Sequence, residues 1–497
     1  MLRNDVQRWK CYLNTCKCFL KLSSTLDIIE KCNVHNHQKC DEKVLNRQKL
    51  SNSVKRKAQD DISTRPSKLI RSELKNSDIP SINTNDLKLI RNNIHHARKV
   101  LYPKLPESIH EVHNCISTMN ITTNKDEQFL FCNNLEDNNI IDFSTETNFK
   151  ALCDVTEIYM DGTFKSCTKY FLQLFTIHGF RNGLYVPLVF LILPNKTLET
   201  YTKAFQYIVS YCTSLQLNFQ PTEIFVDFEV AIHTSVKCVW PNAIIRGCRF
   251  HLAQSWWRKI QQLGLSKAYK SSNNDISDYL KCVFGLPFLK PEEVFDCFID
   301  DLMTIKPVNK TVDTFCDYLL KTYIEQDALF PPNIWAEFAA TTNRTTNSCE
   351  SYHAKLNASI SAAHPNIFVL VEMLLGIQSE IYVSLRSSAT QPIKKTVEKE
   401  NFLREKMLSF TSGELTRLNF IIFSFSIPNT ESNASEEQGY NGKALYYIAG
   451  RWKYVERTND MYGEGKETNR KTSEKMQRHC QGIIRIDFSR LGADIIR

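Results

Sequence analysis

The sequence predicts an α/β protein with a mixed β-sheet, and three observations lead to that prediction. Between Glu157 and Leu193, three apolar runs rich in Val, Ile, Phe and Tyr are separated by Gly, Asn and Pro, which is typical of buried strands. Further apolar runs then alternate with helical patterns. One acid, Asp161, interrupts the first run. Because a buried carboxylate is costly unless it is paired or binds a metal, Asp161 is the first residue to explain.

The order of the predicted elements indicates the architecture of this sheet. Three strands are predicted at 158–164, 170–177 and 185–193, followed by a helix at 198–217, a strand at 224–226 that ends at Asp227, a helix at 229–238, a strand at 243–245 and a helix that carries Trp256 and Trp257. Two earlier strands are predicted near 129–132 and 149–153. This order matches an RNase H-like core, in which the positions of Asp161 and Asp227 are neighbours in the sheet.

Composition limits the class of protein. A chain of 497 residues is too long for one core, so two to four domains are expected. The net charge is +8, and residues 1–75 hold 17 Lys+Arg against 8 Asp+Glu, so the N-terminal arm is basic and the remainder nearly neutral. Such an arm indicates a polyanionic partner or a solvated segment. The sequence has 17 cysteines, and it starts with polar and basic residues. No run approaches about 20 apolar residues. These features predict an intracellular protein without a membrane partner.

Residues 1–40 combine cysteines and histidines in a pattern that predicts a zinc site. Cys11 and Cys16 lie close enough for one hairpin, and His35 and His37 follow as a pair. Zinc takes four N or S ligands, and two Cys with two His are a common set. The pattern Trp9-x-Cys11, Cys16-Lys-x-x-Leu and His35-x-His37 resembles a FLYWCH zinc finger, shortened between the cysteines and truncated before Trp9. Other candidate ligands are Cys18, Cys32 and Cys40.

The next residues change from polar to amphipathic. Residues 41–75 are basic and lack core periodicity, which predicts a linker; Lys55-Arg56-Lys57 within it is a weak nuclear-import signal. In 76–125, Thr84 or Asn85 could cap a helix to about Ala97, and a second helix is predicted at 107–117. Basic residues line the side of the first helix opposite its apolar positions, namely Lys88, Arg91, Arg98 and Lys99. A DNA-binding unit and a brace packed on the next domain are both open interpretations.

Beyond the second acid the pattern becomes helical. Residues 266–342 predict a helical insertion, and a Thr/Asn run at 341–347 then predicts a helix start, after which Glu350 supplies a third acid. Glu325 and Glu337 are its competitors. The predicted core, 126–265, would resume at 343–390. Residues 391–497 have no assigned role, and within them 415–427 fits a strand pair or a buried helix.

Four motifs carry a resemblance to a known family. They are Asp161-Gly-Thr-Phe, Asp227-Phe-Glu-x-Ala, Gly247-Cys248-x-Phe-His251-x-x-Gln254 and Asn347-x-x-Glu350-x-x-His353. Over about residues 85–390 the chain resembles the transposases of Mutator-like elements. Those proteins are DDE/D recombinases with an RNase H-like core and a helical insertion between the second and third acids. The gaps here, 66 residues from 161 to 227 and 123 residues from 227 to 350, leave room for that insertion.

The resemblance implies a site and partners. Asp161, Asp227 and Glu350 would bind two Mg²⁺ (or Mn²⁺) ions, because paired cations require several oxygen ligands. Cys248 and His251 match the family's Cys-x-x-His, for which a structural or DNA-contact role is expected, since two ligands cannot close a zinc site. Double-stranded DNA, as terminal inverted repeats and as target, would be the substrate, with a homo-oligomer holding two ends in the nucleus.

Each residue also has a structural interpretation. Asp161 could be a hairpin acid, and Asp227 could cap the following helix. Glu229 could be a spare ligand or, more simply, an acid in the first turn of that helix. Trp256 and Trp257 could stack on a base but fit a core better.

The function predicted from these features is metal-dependent hydrolysis of DNA phosphodiesters followed by strand transfer. A domesticated DNA-binding or regulatory protein without turnover is the alternative. A nuclease acting on RNA–DNA hybrids shares the metal chemistry but needs neither the finger nor the insertion.

Overall fold

The structure, a computed structural model, covers a defined part of the chain. It describes residues 6–425, except 12, 14, 33, 39–40, 77–80, 103, 137, 272–273, 341–346, 361–362 and 389–393. For residues 32, 347–351, 359, 395 and 425 it describes the backbone only. The chain divides into two compact units. The first extends to Leu105 and includes residues 359–361, and the second contains the remainder.

The first unit opens with a small antiparallel sheet. Its strands, in the spatial order β1-β2-β3, are β1 (Gln7–Lys10), β2 (Phe19–Leu22) and β3 (Ile28–Cys32). The side chains of β1 and β2 are partly or fully exposed. Since three short strands bury so little apolar surface, this sheet needs another source of stability.

Three helices complete the first unit, and two of them correct a sequence prediction. They are α1 (Glu42–Asp60), α2 (Pro66–Asn76) and α3 (Thr84–Leu101). Residues 41–75, predicted as a linker, therefore form helices. Their sparse apolar positions, at Leu50, Val54 and Ala58 on α1 and Ile70 on α2, are all buried against Ile90 and Ile94 of α3. Each helix contributes only one to three residues to this buried core, so the helical periodicity is hidden among Lys, Arg, Asn and Ser.

Arg98 also departs from its predicted place on the exposed basic side of α3. It is 7% exposed and donates to the carbonyl oxygens of Ala58, Asp61 and Thr64 at 3.1, 2.7 and 2.7 Å. These are carbonyls at and beyond the end of α1, where a helix leaves acceptors unpaired. Lys88, Arg91 and Lys99 are exposed, as predicted.

The second unit contains a seven-stranded mixed sheet. Its elements in chain order are α4 (Ile109–Thr118), β4 (Leu130–Asn134), β5 (Ile140–Phe143), α5 (Glu146–Cys153), β6 (Glu157–Thr163), β7 (Gln173–Arg181), β8 (Leu184–Leu193), α6 (Leu198–Ser214), β9 (Glu223–Val226), α7 (Val230–Val239), β10 (Ile244–Gly247) and α8 (Arg249–Gln262). The spatial order is β10-β9-β6-β7-β8-β5-β4. Strands β6, β9 and β10 are parallel, and the other pairs are antiparallel.

Six predicted strands are confirmed, and one prediction is wrong. The segment 149–153, predicted as a strand, belongs to α5, and the strand before β6 is instead β5. Thr145 caps α5 by accepting from the Asn148 amide, and Asn148, Phe149 and Leu152 are buried at helical spacing. The Asn148 side chain exchanges hydrogen bonds of 2.8 and 2.9 Å with Gln378, a buried polar pairing that a short apolar run does not reveal.

The stretch predicted to be helical, 266–342, is mostly helical where the structure describes it, although residues 336–340 are not. Its helices are α9 (Ser266–Lys270), α10 (Asp275–Val283), α11 (Pro291–Asp296), α12 (Lys310–Leu319) and α13 (Pro332–Trp335). A 3₁₀ turn (Leu286–Phe288) and two π-helical turns (Cys297–Leu302 and Leu320–Ile324) lie among them. Their core includes Trp256 and Trp257, which are 0% and 6% exposed, so the core interpretation of both tryptophans is confirmed.

Four helices follow: α14 (Asn347–Ser359), α15 (Ile367–Arg386), α16 (Lys394–Thr411) and α17 (Arg417–Phe425). Of the two interpretations of 415–427, the buried helix is correct for its described part, since Phe420 and Ile421 join the core around Trp256. Helix α15 is long and apolar enough to cross a membrane, contrary to the expectation that no run approaches that length. Half of its most apolar window is buried within the protein, as in a core helix.

Candidate active site

The first two predicted acids lie at the same edge of the sheet. Asp161 lies two residues before the end of β6, and Asp227 directly follows β9. These strands are parallel, with Ile158 opposite Ile224 and Tyr159 opposite Phe225. The same offset continued by two residues brings position 161 level with position 227, on strands about 4.8 Å apart. We call the carboxyl ends of β6 and β9, with Asp161 and Asp227, the acid edge.

The two carboxylates have different surroundings. The Asp161 side chain is 9% exposed, whereas that of Asp227 is 41% exposed. Asp161 Oδ1 accepts from the Gly162 amide at 2.8 Å, and Asp227 Oδ1 accepts from the Phe228 amide at 2.6 Å. One acid is thus held inside the protein and the other faces solvent, so a ligand entering from solvent would meet Asp227 first.

Helix α14, which contains the third predicted acid, contacts Asp161. His353 Nδ1 lies 3.0 Å from Asp161 Oδ2. One turn further along, Asn357 Oδ1 accepts a 2.6 Å hydrogen bond from the Ser166 hydroxyl, just beyond β6. Glu350 lies in α14, one turn before His353, but its side chain is outside the described part of the structure. The structure therefore brings the helix of Glu350 to the acid edge.

Behind Asp161 lies a buried polar chain on β7. Thr176 is the cross-strand partner of Asp161, and its Oγ1 is 2.9 Å from His353 Nε2, 2.9 Å from His178 Nε2 and 3.2 Å from the Asp161 carbonyl oxygen. Neutral His353 with its proton on Nδ1 accepts from the Thr176 hydroxyl. Protonated His353 donates to that oxygen, and the hydroxyl donates to the Asp161 carbonyl. In both states Nδ1–H of His353 donates to the Asp161 carboxylate. These hydrogen bonds therefore fix the orientation of this carboxylate.

The electrostatics agree with an ionised Asp161. Burial raises its pKa, but the hydrogen bond and charge of His353, the charge of His251 and the Gly162 amide outweigh burial and hold the pKa below its ordinary value. Burial, followed by the charge of His353, lowers the pKa of His178 to about 3. His178 is therefore neutral, and among the described residues its Nδ1 has no hydrogen-bond partner.

The Cys-x-x-His motif faces the same edge through its histidine. Cys248 follows β10, donates its amide to the Val226 carbonyl at 2.9 Å and is fully buried before the first turn of α8. His251 Nδ1 lies 3.7 Å from Asp227 Oδ1, and its charge also acts on Asp161. The buried position of Cys248 agrees with a structural role, while the DNA-contact role of either residue stays a prediction.

Two other acids considered for the site form ion pairs with basic residues. Glu229 lies one residue before α7 rather than in its first turn, and its carboxylate is 2.8 Å from the Lys196 ammonium. Glu337 is 3.8 Å from the Arg246 guanidinium. Glu229, considered as a spare ligand, and Glu337, a competitor of Glu350, are thus each paired with a cation, while the choice of Glu350 as third acid stays a prediction.

Sequence reasoning missed the polar chain on β7. His353 belongs to a quoted motif, but Thr176 and His178 were absorbed into an apolar strand. The available signal was two polar residues at spacing two, on the face of β7 that also pairs with Asp161. A histidine in the middle of a buried strand requires partners, just as a carboxylate does.

The first unit contains a separate group of potential metal ligands. The ligand atoms of Cys11, Cys16, His35 and His37 all lie within 4.8 Å of one another, and we call these residues the finger cluster. Cys11 Sγ is 3.1 Å from His37 Nε2, and Cys16 Sγ is 3.5 Å from His35 Nδ1. The Cys18 backbone, opposed by burial and aided by Asn36, Cys11 and His35, lowers the pKa of Cys16 to about 6. Two sulfurs and two imidazoles at such spacing could bind zinc.

The other candidate ligands are less favoured or lie outside the description. Cys18 is buried beside the cluster, and its carbonyl accepts from the Cys11 amide at 2.9 Å, but its sulfur is not one of the four grouped ligand atoms. The side chain of Cys32 and all of Cys40 are outside the described residues.

Comparison with known proteins addresses the acid edge directly. Residues 157–255 match the family model of the MULE transposase domain, and no curated protein matches the chain. The matched segment runs from the first residue of β6 through Asp161, Asp227 and the Cys248–His251 motif into α8. The segment that contains both acids of the acid edge is therefore similar to a MULE transposase domain.

Proposed function

We propose that the chain is a DDE-type DNA transposase that hydrolyses phosphodiester bonds at transposon ends and transfers the freed strand to target DNA. In this proposal Asp161, Asp227 and Glu350 bind two Mg²⁺ or Mn²⁺ ions. One observation carries it: the two aspartates end neighbouring parallel strands, and α14 is tied to Asp161 through His353.

The residues at the acid edge fit hard divalent cations. Mg²⁺ prefers carboxylate and water oxygens. An ionised carboxylate has about four acceptor positions, and the described contacts of Asp161 use one on each oxygen. Asp161 can thus accept from His353 and still bind a cation, and the exposed Asp227 leaves space for water ligands. Glu350, on the turn of α14 before His353, would supply the third carboxylate.

The protein's own contribution is orientation. His353 fixes the Asp161 carboxylate, and Thr176 holds His353, as in the outer-shell contacts that orient metal ligands. His251 supplies a second imidazole near Asp227. Divalent cations, when bound, lower the pKa of the attacking oxygen's proton and stabilise the leaving oxygen.

The topology supports the same proposal. The order β8-β7-β6-β9-β10, antiparallel in its first half and parallel in its second, agrees with an RNase H-like core. Helices α9 to α13 lie between Asp227 and Glu350 in the chain, where such an enzyme has its helical insertion.

The first unit would contribute recognition of DNA. A zinc-loaded finger of FLYWCH type and the basic residues of 1–75 suit terminal inverted repeats. A nuclear location and a homo-oligomer that pairs two transposon ends are part of this proposal.

Substitution of Asp161 by Asn tests the proposal. The substrate is duplex DNA from the genomic flanks of the coding sequence, where transposon ends would lie. Wild type should cleave it with Mg²⁺ or Mn²⁺, and Asp161→Asn should lose at least about 10³-fold in cleavage rate, since several kcal/mol of charge stabilisation are removed. DNA binding without metal should be unchanged.

Asp142→Asn is the matched control, because Asp142 is a buried acid on β5 of the same sheet. It should cleave as wild type does. Metal-dependent cleavage by Asp161→Asn at the wild-type rate would refute the site. Binding without cleavage by wild type would instead support the domesticated, inactive protein.

A further inference from the structure

A basic groove lies on α8, at the end of that helix away from the acid edge. It has a volume of about 430 Å³ and is lined by Ser255, Arg258, Lys259, Gln262 and Tyr318. None of these five residues is acidic. The Lys259 ammonium lies 5.0 Å from the centre of the Tyr318 ring. Among the described residues, no carboxylate forms an ion pair with Arg258 or Lys259. We call these five residues the α8 groove.

One face of α8 connects the acid edge to the groove. His251, Ser255, Arg258, Lys259 and Gln262 are spaced four, three, one and three residues apart, so they follow one face of α8. From His251 to Gln262 the helix rises about 16 Å at 1.5 Å per residue. His251 lies 3.7 Å from Asp227, which places one end of this polar face at the acid edge.

Side chains from the helical stretch link the two places. The hydroxyl of Tyr318, which lines the groove, is 3.2 Å from that of Tyr323, and Ser255 is close enough to Tyr323 to act on the pKa of its phenol. Burial, then Tyr318, and last the charge of Asp227 raise the pKa of the Tyr323 phenol, while Ser255 lowers it. A ligand in the α8 groove would therefore be close enough to Asp227 to belong to the same bound molecule.

The helix dipole alone does not account for the placement of Arg258 and Lys259 at the groove. Arg258 and Lys259 lie near the C-terminus of α8, where the helix dipole favours positive charge. The dipole explains neither the open groove nor the Ser, Gln and Tyr donors gathered around it. Cations combined with hydroxyl and amide donors are the usual partners of phosphate oxygens.

We propose that the α8 groove binds the phosphodiester backbone of duplex DNA next to the acid edge. The proposal rests on the proposed function, because it takes the scissile DNA to lie at Asp161 and Asp227. The contacts would be to phosphates rather than bases, since Trp256 and Trp257 on the same helix are buried and offer no stacking surface. At about 3.4 Å per base pair, a 16 Å face spans about five base pairs of backbone.

The test is the affinity of the full chain for a 30-base-pair DNA duplex, measured over a range of salt concentrations without added Mg²⁺. Removing two phosphate contacts with Arg258→Gln/Lys259→Gln should lower the slope of log affinity against log salt by about 1.8. At about 0.1 M salt the affinity should fall between about 10-fold and 60-fold. Lys237→Gln/Lys267→Gln, which removes two exposed cations that do not line the groove, should change the affinity less than about 3-fold.

The outcomes separate this proposal from the transposase proposal. If both double variants weaken binding equally, the groove has no specific role, whatever the cleavage assay shows. If the groove variant alone loses affinity while wild type cannot cleave, the groove stands and the proposed catalysis fails. Tighter binding of duplex RNA than of DNA by the groove would overturn the DNA assignment. Absence of wild-type binding to DNA would overturn both proposals.

Discussion

The finger cluster and the acid edge are two candidate metal sites built on opposite principles. The finger cluster takes its four ligands from 27 consecutive residues, on a sheet with largely exposed side chains. The acid edge joins residues from β6, the end of β9 and α14, and it is backed by buried polar side chains. The first would need a metal to replace a missing core, whereas the fold positions the residues of the second without one.

The largest expected effect is the loss of structure at the finger cluster when zinc is removed. Zinc binding to such a site is worth about 10–16 kcal/mol, so removal of zinc should unfold residues 6–38. We expect one equivalent of zinc per chain, lost with a chelator or with Cys16→Ala. Hydrogen exchange should then accelerate in β1–β3, while β7, in the other unit, remains protected.

Two variants make this measurement decisive. Cys238→Ala, at an exposed cysteine of α7, should keep the zinc. Cys18→Ala should also keep it. Loss of zinc from Cys18→Ala but not from Cys16→Ala would assign the fourth ligand to Cys18 instead.

A smaller effect is expected behind the acid edge, where we propose that Thr176 positions the Asp161 carboxylate through His353. Thr176→Val removes the hydroxyl shared by His353 and His178, so the Asp161 carboxylate loses its fixed orientation. Cleavage should fall about 10–100-fold, with a higher Mg²⁺ requirement and unchanged DNA binding. Leaving the Nε2 atoms of His353 and His178 without this partner should also cost about 1–3 kcal/mol in free energy of unfolding.

Thr176→Ser is the matched control, since it restores the hydroxyl and should recover most of the cleavage rate. A merely structural role would lower stability without changing the Mg²⁺ dependence. Wild-type cleavage by Thr176→Val at every Mg²⁺ concentration would exclude the positioning role.

The smallest expected effect compares two buried acids of one sheet. Asp142 is fully buried on β5 beside the Cys132 thiol, and no described oxygen or nitrogen hydrogen-bonds to its carboxyl oxygens. Burial raises its pKa well above the ordinary value, in contrast to Asp161. Folded Asp142 therefore keeps its proton at pH values where the unfolded chain has released it, so stability falls as pH rises above about 3.9.

Asp142→Asn removes that titration and should raise the unfolding temperature of the sheet-containing unit more at pH 8 than at pH 5. A difference of about 1 kcal/mol corresponds to about 2–4 °C. Thermal unfolding at both pH values measures it. An equal shift at the two pH values would mean that Asp142 is ionised in the folded protein.

The contribution of Asp161 to stability depends on pH in the opposite direction to that of Asp142. Because its pKa is lowered, the stability from its contact with His353 is present above about pH 3.9 and is lost as pH falls through the folded pKa. Two acids that look alike in an apolar strand are thus distinguished by partners: an imidazole for Asp161, and a thiol for Asp142.

Sequence patterns succeeded where apolar runs were long and continuous. Strands β6, β7 and β8 and helix α6 were predicted within a few residues, because buried strands and amphipathic helices impose distinct periodicities. They failed where burial was sparse or polar. Helices α1 and α2 bury few residues each, and α5 is anchored by the buried amide of Asn148. Neither feature has a periodic apolar signature.

By itself, the sequence was enough to single out Asp161 and Asp227 as candidates, since a carboxylate inside or directly after an apolar strand is unusual enough to require a reason. It also determined the finger cluster, whose ligands are close in the chain. Only the tertiary structure decided that Thr176, His178 and His353 stand behind Asp161, that Asp142 has no such partners, and that α8 aligns a basic groove with Asp227. These depend on which strands are neighbours and how a distant helix packs, and pairing across 177 residues of chain leaves no trace in local periodicity.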